Sequence, residues 1–223
     1  MLEEYIELLR PIVTEMFKSE SSGHDIGHLE RVMKIALYIQ SKEGGDRVVV
    51  GVSSFLHDIH RLEQNKTGKY CSPKESLPII EEILKDINFP EELKWKVLNA
   101  IEFHETYNWN SEDIKTNEIE ALILQDADNV DLTGAMGVAR TFAYAGVHNI
   151  LFHDDNASIE ELCSENYKEG VSRVETPIEL FYHKVLKLRE HMNTNTAKEL
   201  AKDRDTFMQS FIDEFLKEWN SEF

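Results

Sequence analysis

Apolar residues recur along most of this chain at the three- and four-residue spacing of helices that have one buried face. Clear examples are residues 29–37, LERVMKIAL, and residues 79–84, IIEEIL. We find no segment that alternates convincingly between apolar and polar residues, as a half-buried strand would. The pattern predicts an all-α fold.

Glycine, proline and short polar runs interrupt this pattern and predict where helices end. They occur at Gly44–Gly45, from Gly68 to Pro73, at Pro90, from Asn108 to Ser111, at Gly146 and at Pro177. The intervals predict roughly eight to ten helices with short polar links. Residues 61–74, RLEQNKTGKYCSPK, are predicted to form a mobile loop of the kind that closes over a site.

The composition is that of an ordinary globular protein. The chain has 223 residues, of which 41% are hydrophobic and 30% are charged. A chain of this length can bury one good-sized core, so one compact domain is expected.

The charge excludes several classes of partner. Acidic residues number 42 against 24 Lys and Arg, which gives a formal net charge of -18 and would repel polymeric DNA or RNA or an anionic membrane. No stretch approaches the roughly 20 apolar residues of a membrane span. Cys71 and Cys163 lie far apart without a CxxC spacing, which favours reduced thiols. We therefore expect a cytoplasmic protein that binds neither polymeric nucleic acid nor a membrane.

Three His-Asp pairs need to be distinguished by their context. His24-Asp25 precedes a periodic segment, where Asp25 is suited to cap the helix by accepting from the backbone N–H of Gly27 or His28, so this pair is interpreted as mainly structural. His153-Asp154 lies in a polar stretch typical of a solvated turn. His57-Asp58 ends the apolar run VVVGVSSFLHDI, where burial without a partner would cost several kcal/mol. This last pair is the best candidate for chemistry.

Two other segments supply further ligands of the same kind. His28, in GHDIGHLERV, lies on the apolar side of its predicted helix, and Asp126 follows the apolar run of LILQDADNVD. Two imidazoles and two carboxylates form a mixed donor set that suits a divalent metal such as Mn, Fe, Ni, Co or Mg. Together His28, His57, Asp58 and Asp126 predict a metal site.

These residues resemble a known family pattern. His28, His57-Asp58 and Asp126, with the flanking strings GHLERV, SSFLHDI and QDADNVDLTGAMGVAR, are similar to the H…HD…D motif of the HD-domain superfamily of metal-dependent phosphohydrolases. The motifs cover roughly residues 20–145, and residues 172–194 resemble the tail of a bacterial subgroup of small stand-alone HD proteins.

The resemblance implies a single HD-type helical bundle over residues 1–223, with a metal-binding core over about 20–145 and a C-terminal helical extension over about 146–223. It implies that the four motif residues bind one metal. It also implies hydrolysis of a small phosphorylated substrate, in this family a nucleotide, with release of pyrophosphate from nucleoside triphosphates in some members of the subgroup.

The donor set fits this chemistry. A divalent metal lowers the pKa of a bound water and offsets the charge that builds on phosphorus. Asp58 is expected to ligate the metal and to take the proton from the attacking water. If Asp58 is a ligand only, Glu102 or Glu105, which flank His104, are the alternative bases.

His104 lies where relatives with two metals carry extra histidines for the second ion. The interval between Asp58 and Asp126 holds one other histidine, His60, which is too close to the pair to come from a separate helix. A one-metal site is therefore favoured, with His104 donating to a phosphate oxygen or to the bound water. A second metal at His104, and a histidine packed under a helix end, stay open.

Other polar residues near the motifs are candidates for contact with substrate, although surface ion pairs explain most cations in an acidic chain. They are Arg31, His60, Arg61, Lys66, Lys69 and Arg140. Asp131 is more typical of an anchor for a helix or for a metal-binding histidine than of a ligand. The amphipathic stretch from Thr194 to Phe223 is expected to cap the core or to join a second subunit as a homodimer.

The sequence thus favours a metal-dependent phosphohydrolase. A non-catalytic sensor that binds metal or nucleotide is the alternative from another class, since ligation alone does not establish turnover. A di-metal HD oxygenase is a further alternative, and it would require a second ion held by His104 with His60 or His24.

Overall fold

The computed structural model describes residues 1–106, 116–154 and 176–222. Every regular element in these ranges is helical, which confirms the all-α prediction. The elements are α1 (Leu2–Met16), α2 (Ile26–Glu43), α3 (Arg47–Leu56), α4 (Ile59–Thr67), α5 (Pro73–Asp86), α6 (Glu91–Phe103), α7 (Ile119–Asp131), α8 (Gly134–Val147), α9 (Pro177–His183), a 3₁₀ turn (Val185–Lys187), α10 (Leu188–His191) and α11 (Asn195–Trp219).

The centre of the fold is formed by α2, α3 and α7. Helix α3 is buried at every position from Val48 to Leu56, and α2 packs most extensively against α3 and α7. The buried face of α2 carries Leu29, Val32 and Ala36 at the three- and four-residue spacing of the sequence pattern. Polar side chains on the inner faces of these helices therefore have little access to water.

Side-chain caps fix where the two central helices begin. The carboxylate of Asp25 accepts from the backbone N–H of His28 at 2.8 Å, which confirms the predicted cap. Asp46 caps α3 by accepting from the N–H groups of Val48 and Val49, at 2.7 and 3.1 Å. Such a cap contributes about 1 kcal/mol. The Asp25 cap holds His28 on the first turn of α2.

The segment predicted to be a mobile loop is mostly helical. Residues 61–67 belong to α4, which ends at Gly68 in the left-handed conformation (φ +69), and only residues 68–72 connect it to α5. Leu62 and the buried Ile59 pack α4 against the core, so two apolar residues hold this short helix in place. The loop prediction is wrong because the segment is polar on its exposed side, and that composition resembles a loop.

Pro177 begins a helix, whereas the sequence predicted a helix end there. Thr176 and Glu179 form a capping box, with Pro177 at the first helical position, where a missing N–H costs nothing. The predicted stop at Asn108–Ser111, and Cys163, lie outside the described residues.

The C-terminal helix α11 packs against α8, α7 and α2 through a stripe that includes Ala197, Ala201, Met208 and Ile212. This confirms the predicted amphipathic helix and its role as a cap on the core. None of the described helices combines the length and the apolar character needed to cross a bilayer.

Candidate metal centre

The His-Asp pair lies at the sharp corner between two helices. His57 follows the last residue of α3, Asp58 precedes the first residue of α4, and both side chains are buried. At this corner they meet His28 from the first turn of α2 and Asp128 from α7. We call His28, His57, Asp58 and Asp128 the primary cluster.

The ligand atoms of the primary cluster are close together. His28 Nε2 lies 3.3 Å from His57 Nε2, 3.2 Å from Asp58 Oδ2 and 3.5 Å from Asp128 Oδ1. His57 Nε2 lies 3.6 Å from Asp58 Oδ1 and 3.9 Å from Asp128 Oδ1. Ligand atoms of His28, His57 and Asp128 thus all lie within 4.8 Å of one another, and the Asp58 carboxylate lies beside His28 and His57.

The hydrogen bonds of the two rings decide which nitrogens carry protons. His28 Nδ1 lies 2.8 Å from Asp131 Oδ2, and His57 Nδ1 lies 2.9 Å from the carbonyl oxygen of Ser54. Because these oxygens are acceptors, each neutral ring carries its proton on Nδ1 and presents a lone pair at Nε2. When both rings are neutral, the two lone pairs face each other and two carboxylates, which is unfavourable until a cation binds between them. The residues present fit a divalent metal with mixed nitrogen and oxygen ligands.

The electrostatics of His57 and of the two carboxylates favour the protonation states that metal binding needs. Burial lowers the pKa of His57 to about 4, so this ring is neutral at physiological pH. Burial works to raise the pKa of Asp58, but His57, His24 and His28 outweigh it and hold that pKa well below its usual range. The pKa of Asp128 is likewise lowered by His57 and His28 against the effect of burial. Neutral imidazole and ionised carboxylate are the forms that ligate metals.

Asp131 holds His28 in place from behind. Besides His28 Nδ1, its carboxylate accepts from Arg31 Nε at 2.8 Å and from Arg140 Nη1 at 3.2 Å. Burial opposes ionisation of Asp131, but His28 and the two arginines keep its pKa strongly lowered. Hydrogen bonding and charge from Asp131 and Asp58 in turn outweigh burial at His28 and raise its pKa. Asp131 therefore anchors a histidine, as the sequence indicated.

The predicted ligand Asp126 does not join the cluster. Its carboxylate accepts from the backbone N–H groups of Asn193 and Thr194, at 2.8 and 2.7 Å. The Asn193 amide and the Thr194 hydroxyl donate to it as well, at 3.0 and 2.7 Å. Residues two apart on a helix differ by about 200° in direction, so Asp128 faces the cluster while Asp126 faces the C-terminal segment. The structure therefore brings Asp128 to the cluster in the place where the sequence had predicted Asp126.

A sequence signal for Asp128 was present. Asp128 precedes Asp131 by three positions, so the two carboxylates share one face of α7. Asp131 was already identified as an anchor for a histidine, and the residue on its own face is the better candidate for a ligand.

His24 also lies at the site, although its pair was interpreted as mainly structural. Its Nδ1 donates to Asp58 Oδ2 at 2.7 Å, and burial lowers its pKa. The side chains of His24 and Asp128 are each 19% exposed, which marks the open side of the otherwise buried cluster. The position of His24 directly before the α2 cap was the available signal.

A second group of polar residues lies on the other side of Asp58. His60, on the first turn of α4, meets His104 and Glu105 at the end of α6, and Arg61 forms an ion pair with Glu105 Oε1. Ligand atoms of Asp58, His60, His104 and Glu105 all lie within 4.8 Å of one another. We call His60, His104 and Glu105 the secondary cluster.

Not all predicted substrate contacts lie near these clusters. Lys66 and Lys69 are at the exposed end of α4, where Lys66 Nζ lies 3.6 Å from Glu63, and their described contacts reach neither cluster. Arg31 is bound to Asp131 on the far side of His28. Arg140 is better placed, because its Nη2 lies 3.5 Å from both His24 Nδ1 and His28 Nε2.

Glu102, one of the alternative bases, points away from the centre and pairs with Lys74 at 2.9 Å. His153 packs its ring against Trp219, with centroids 5.3 Å apart, and lies outside both clusters.

Comparisons with known proteins identify the same family that the sequence motifs resemble. A family model described as HD domain matches residues 25–133. The YpgQ protein of Bacillus subtilis is 30% identical over 215 residues, which are 95% of this chain and 92% of that protein.

Solved structures resemble the whole chain. An HD-superfamily hydrolase from Bacillus thuringiensis is 31% identical with a TM-score of 0.72, and the match covers 100% of both chains. Bacillus subtilis YpgQ in complex with ADP is 30% identical with a TM-score of 0.67, and the match covers 95% of this chain and 96% of that one.

Proposed function

This chain belongs to the HD domain family, and we propose that it is a metal-dependent phosphohydrolase whose substrate is a small nucleotide. The observation that carries the proposal is the convergence of two buried imidazole lone pairs with two carboxylates at the α3–α4 corner. A relative of similar length was crystallised with ADP, which supports a nucleotide as the substrate class.

His28, His57, Asp58 and Asp128 are the proposed ligands of one divalent metal, of the Mn, Fe, Co, Ni or Mg type. Asp128 replaces Asp126 in this assignment because all hydrogen bonds described for Asp126 lead away from the cluster. When bound, the metal supplies an acidified water and positive charge against the phosphate.

Asp58 is the proposed proton acceptor as well as a ligand. Its Oδ2 accepts from His24 at 2.7 Å, which fixes the orientation of the carboxylate. Its Oδ1 lies 3.6 Å from His57 Nε2 and 3.8 Å from Arg61 Nε, beyond hydrogen-bonding distance. Oδ1 is therefore the atom that can take a proton from the attacking water.

The substrate phosphate is proposed to enter on the side of His24 and Asp128, where the cluster is open. Arg140 is the cation nearest to that opening, and its Nη2 has only long contacts, of 3.5 Å, to ring nitrogens. His24 Nδ1 is itself a donor to Asp58, and a phosphate oxygen is a better acceptor for the Arg140 N–H than the ring nitrogen of His28. Arg140 thus serves two groups, Asp131 through Nη1 and the proposed phosphate through Nη2.

The test is a phosphate and pyrophosphate release screen of the purified protein with Mn, Mg, Co and Ni against nucleoside tri-, di- and monophosphates. We expect release that requires metal and that Asp128→Ala abolishes. His153→Ala is the matched control, since it removes an imidazole outside both clusters and should retain activity. Metal binding without release from any of these nucleotides would contradict the proposal and favour a sensor.

A further inference from the structure

Two buried carboxylates, those of Asp58 and Glu105, lie on either side of one guanidinium, that of Arg61. Arg61 Nη2 donates to Glu105 Oε1, whereas Arg61 Nε lies 3.8 Å from Asp58 Oδ1, beyond hydrogen-bonding distance. The side chains of Asp58, Glu105 and Arg61 are 2%, 6% and 13% exposed, so water screens their charges little. Arg61 is therefore attracted to both carboxylates, and its pairing with one leaves the other open.

The two histidines of the secondary cluster offer no further donor to these carboxylates when their rings are neutral. His104 Nδ1 lies 2.7 Å from the carbonyl oxygen of Ile101, and His60 Nδ1 lies 3.1 Å from that of His57. Each Nδ1 then carries the proton, and each Nε2 presents a lone pair. His104 in this form cannot donate to a phosphate oxygen, which was its expected role. Arg61 is thus the donor that the two carboxylates have in common.

The position of Glu105 is fixed by backbone contacts that involve two helices. The N–H of Thr106, the next residue, donates to the carbonyl oxygen of Phe103 at 3.0 Å and so extends the last turn of α6. The side-chain amide of Gln125, on α7, donates to the carbonyl oxygen of Thr106. The backbone at Glu105 is therefore anchored, and its carboxylate holds the more mobile guanidinium.

Loss of the Glu105 charge would change which carboxylate Arg61 pairs with. Charge-assisted N–H···O bonds are about 2.7–2.9 Å long, so a movement of about 1 Å would bring Arg61 Nε onto Asp58 Oδ1. The remaining contact, from Arg61 Nη1 to Gln64 Oε1 at 3.3 Å, is to an uncharged group and is too long to prevent this movement. A guanidinium on Oδ1 would occupy the atom that is proposed to take the proton, and would place a positive charge beside the metal.

We infer that Glu105 is a positioning residue, which binds Arg61 and so keeps Asp58 Oδ1 open for the metal and for the proton of the attacking water. The inference rests on the proposed function, in which Asp58 is a metal ligand and the proton acceptor. Glu105 acts through Arg61 and does not itself take the proton. Its role therefore differs from that of the alternative base that the sequence offered.

The experiment is a double-mutant cycle in which calorimetric titration of the full-length chain measures the affinity for Mn. In the wild-type background Glu105→Gln should weaken binding about 10- to 100-fold, the usual effect of losing a residue behind a metal ligand. In the Arg61→Gln background the same change should cost about tenfold less, because the guanidinium that would cover Asp58 is absent. Losses that agree within about twofold in the two backgrounds, the usual limit of additivity, would overturn the inference.

A crystal structure of metal-free Glu105→Gln tests the new pairing directly and depends neither on metal nor on turnover. We expect a nitrogen of Arg61 within about 3.2 Å of Asp58 Oδ1. A guanidinium that stays in its wild-type position would overturn the inference even if the proposed function holds. A wild type that binds no Mn would instead contradict the proposed function, and the structure of the variant would still decide where Arg61 pairs.

Glu102→Gln is the matched control for the titration. It makes the same chemical change near the end of α6, but Glu102 pairs with the exposed Lys74 at 2.9 Å, so the affinity for Mn should stay at the wild-type value. If Glu105→Gln does not fold, as judged by circular dichroism, Glu105→Met replaces it in both measurements. Methionine is uncharged, similar in length and well tolerated in buried surroundings.

Discussion

Helix α7 carries two groups of buried polar contacts, one on each side, and they differ in how completely they are satisfied. On one side Asp126 accepts hydrogen bonds from Asn193 and Thr194, so that each of its oxygens has donors. On the other side Asp128 faces the ring nitrogens of His28 and His57, which are themselves acceptors. Hydrogen-bond donors of the protein surround the carboxylate of Asp126, whereas the described contacts of Asp128 are with the two imidazole rings.

The contrast teaches how to separate structural from functional polar clusters. The carboxylate of Asp126 accepts from the hydroxyl of Thr194, the residue that caps the start of α11. Its hydrogen bonds are therefore made within the protein, and no ligand is needed to satisfy it. In the primary cluster, by contrast, two imidazole nitrogens face two carboxylates, the donor set that we propose binds a metal. Burial alone does not distinguish the two cases, whereas the balance of donors and acceptors does.

The largest effect should come from Asp128→Asn. The amide keeps the shape but removes the charge, and affinity for metal should fall by more than the roughly 10- to 100-fold that loss of a ligand's hydrogen-bond partner costs. Metal-dependent activity should fall with it. Calorimetric titration with Mn measures the affinity, and thermal unfolding in chelator should show little change in the metal-free protein. Retention of wild-type affinity would mean that Asp128 is not a ligand.

The converse result is expected for Asp126→Ala. Removing this carboxylate leaves buried donors of Asn193 and Thr194 without an acceptor, which should lower the free energy of unfolding by about 2–4 kcal/mol. Urea unfolding in chelator measures the loss, and metal affinity of the folded fraction should stay near that of the wild type. Asp126→Asn retains one oxygen and should lose less. A selective loss of metal affinity with unchanged stability would reverse the contrast between the two sides.

A smaller effect is expected for Glu120, at the beginning of the same helix. Donors are described for one oxygen of its carboxylate, whereas both oxygens of Asp126 have them. Glu120 Oε1 accepts from the backbone N–H of Asp46 at 3.0 Å and from Lys96 at 3.2 Å. Burial works to raise its pKa, but these partners outweigh burial and lower it below the ordinary 4.5. We expect Glu120→Gln to cost about 1 kcal/mol at pH 7.

The pH dependence follows from the direction of that shift. A carboxyl whose pKa is lowered by folding stabilises the protein above its ordinary pKa, and the contribution is lost as the pH falls through the lowered value. The difference in unfolding free energy between wild type and Glu120→Gln should therefore be full at pH 7 and shrink below about pH 4.5. A difference that is constant from pH 7 to pH 3 would show that the charge of Glu120 contributes nothing.

Much of this arrangement follows from local sequence. The helical class follows from apolar spacing, the Asp25 cap from its place before α2, and the His57-Asp58 pair from the apolar run that buries it. In each case the signal lies within a few residues of the feature. His28 could be identified for the same reason.

The errors have a common physical cause. Asp126 and Asp128 lie in the same apolar surroundings, and the rotation of α7 decides which of them faces α2. That rotation depends on contacts with Asn193 and Thr194, distant in the chain. The predicted loop over residues 61–74 failed similarly, since Leu62 seats α4 through a tertiary contact. Local spacing predicts elements, but long-range contacts decide which side chains meet.

The Asp126 network also bears on how the protein matures during synthesis. The proposed ligands of the primary cluster have all been translated once Asp128 is made, yet the donors that satisfy Asp126 lie 67 and 68 residues beyond Asp126 in the chain. A nascent chain therefore holds the metal-binding residues before it holds the contacts that set the rotation of α7. Because pairing across such separations is slow, the centre should reach its final form only after Thr194 has left the ribosome.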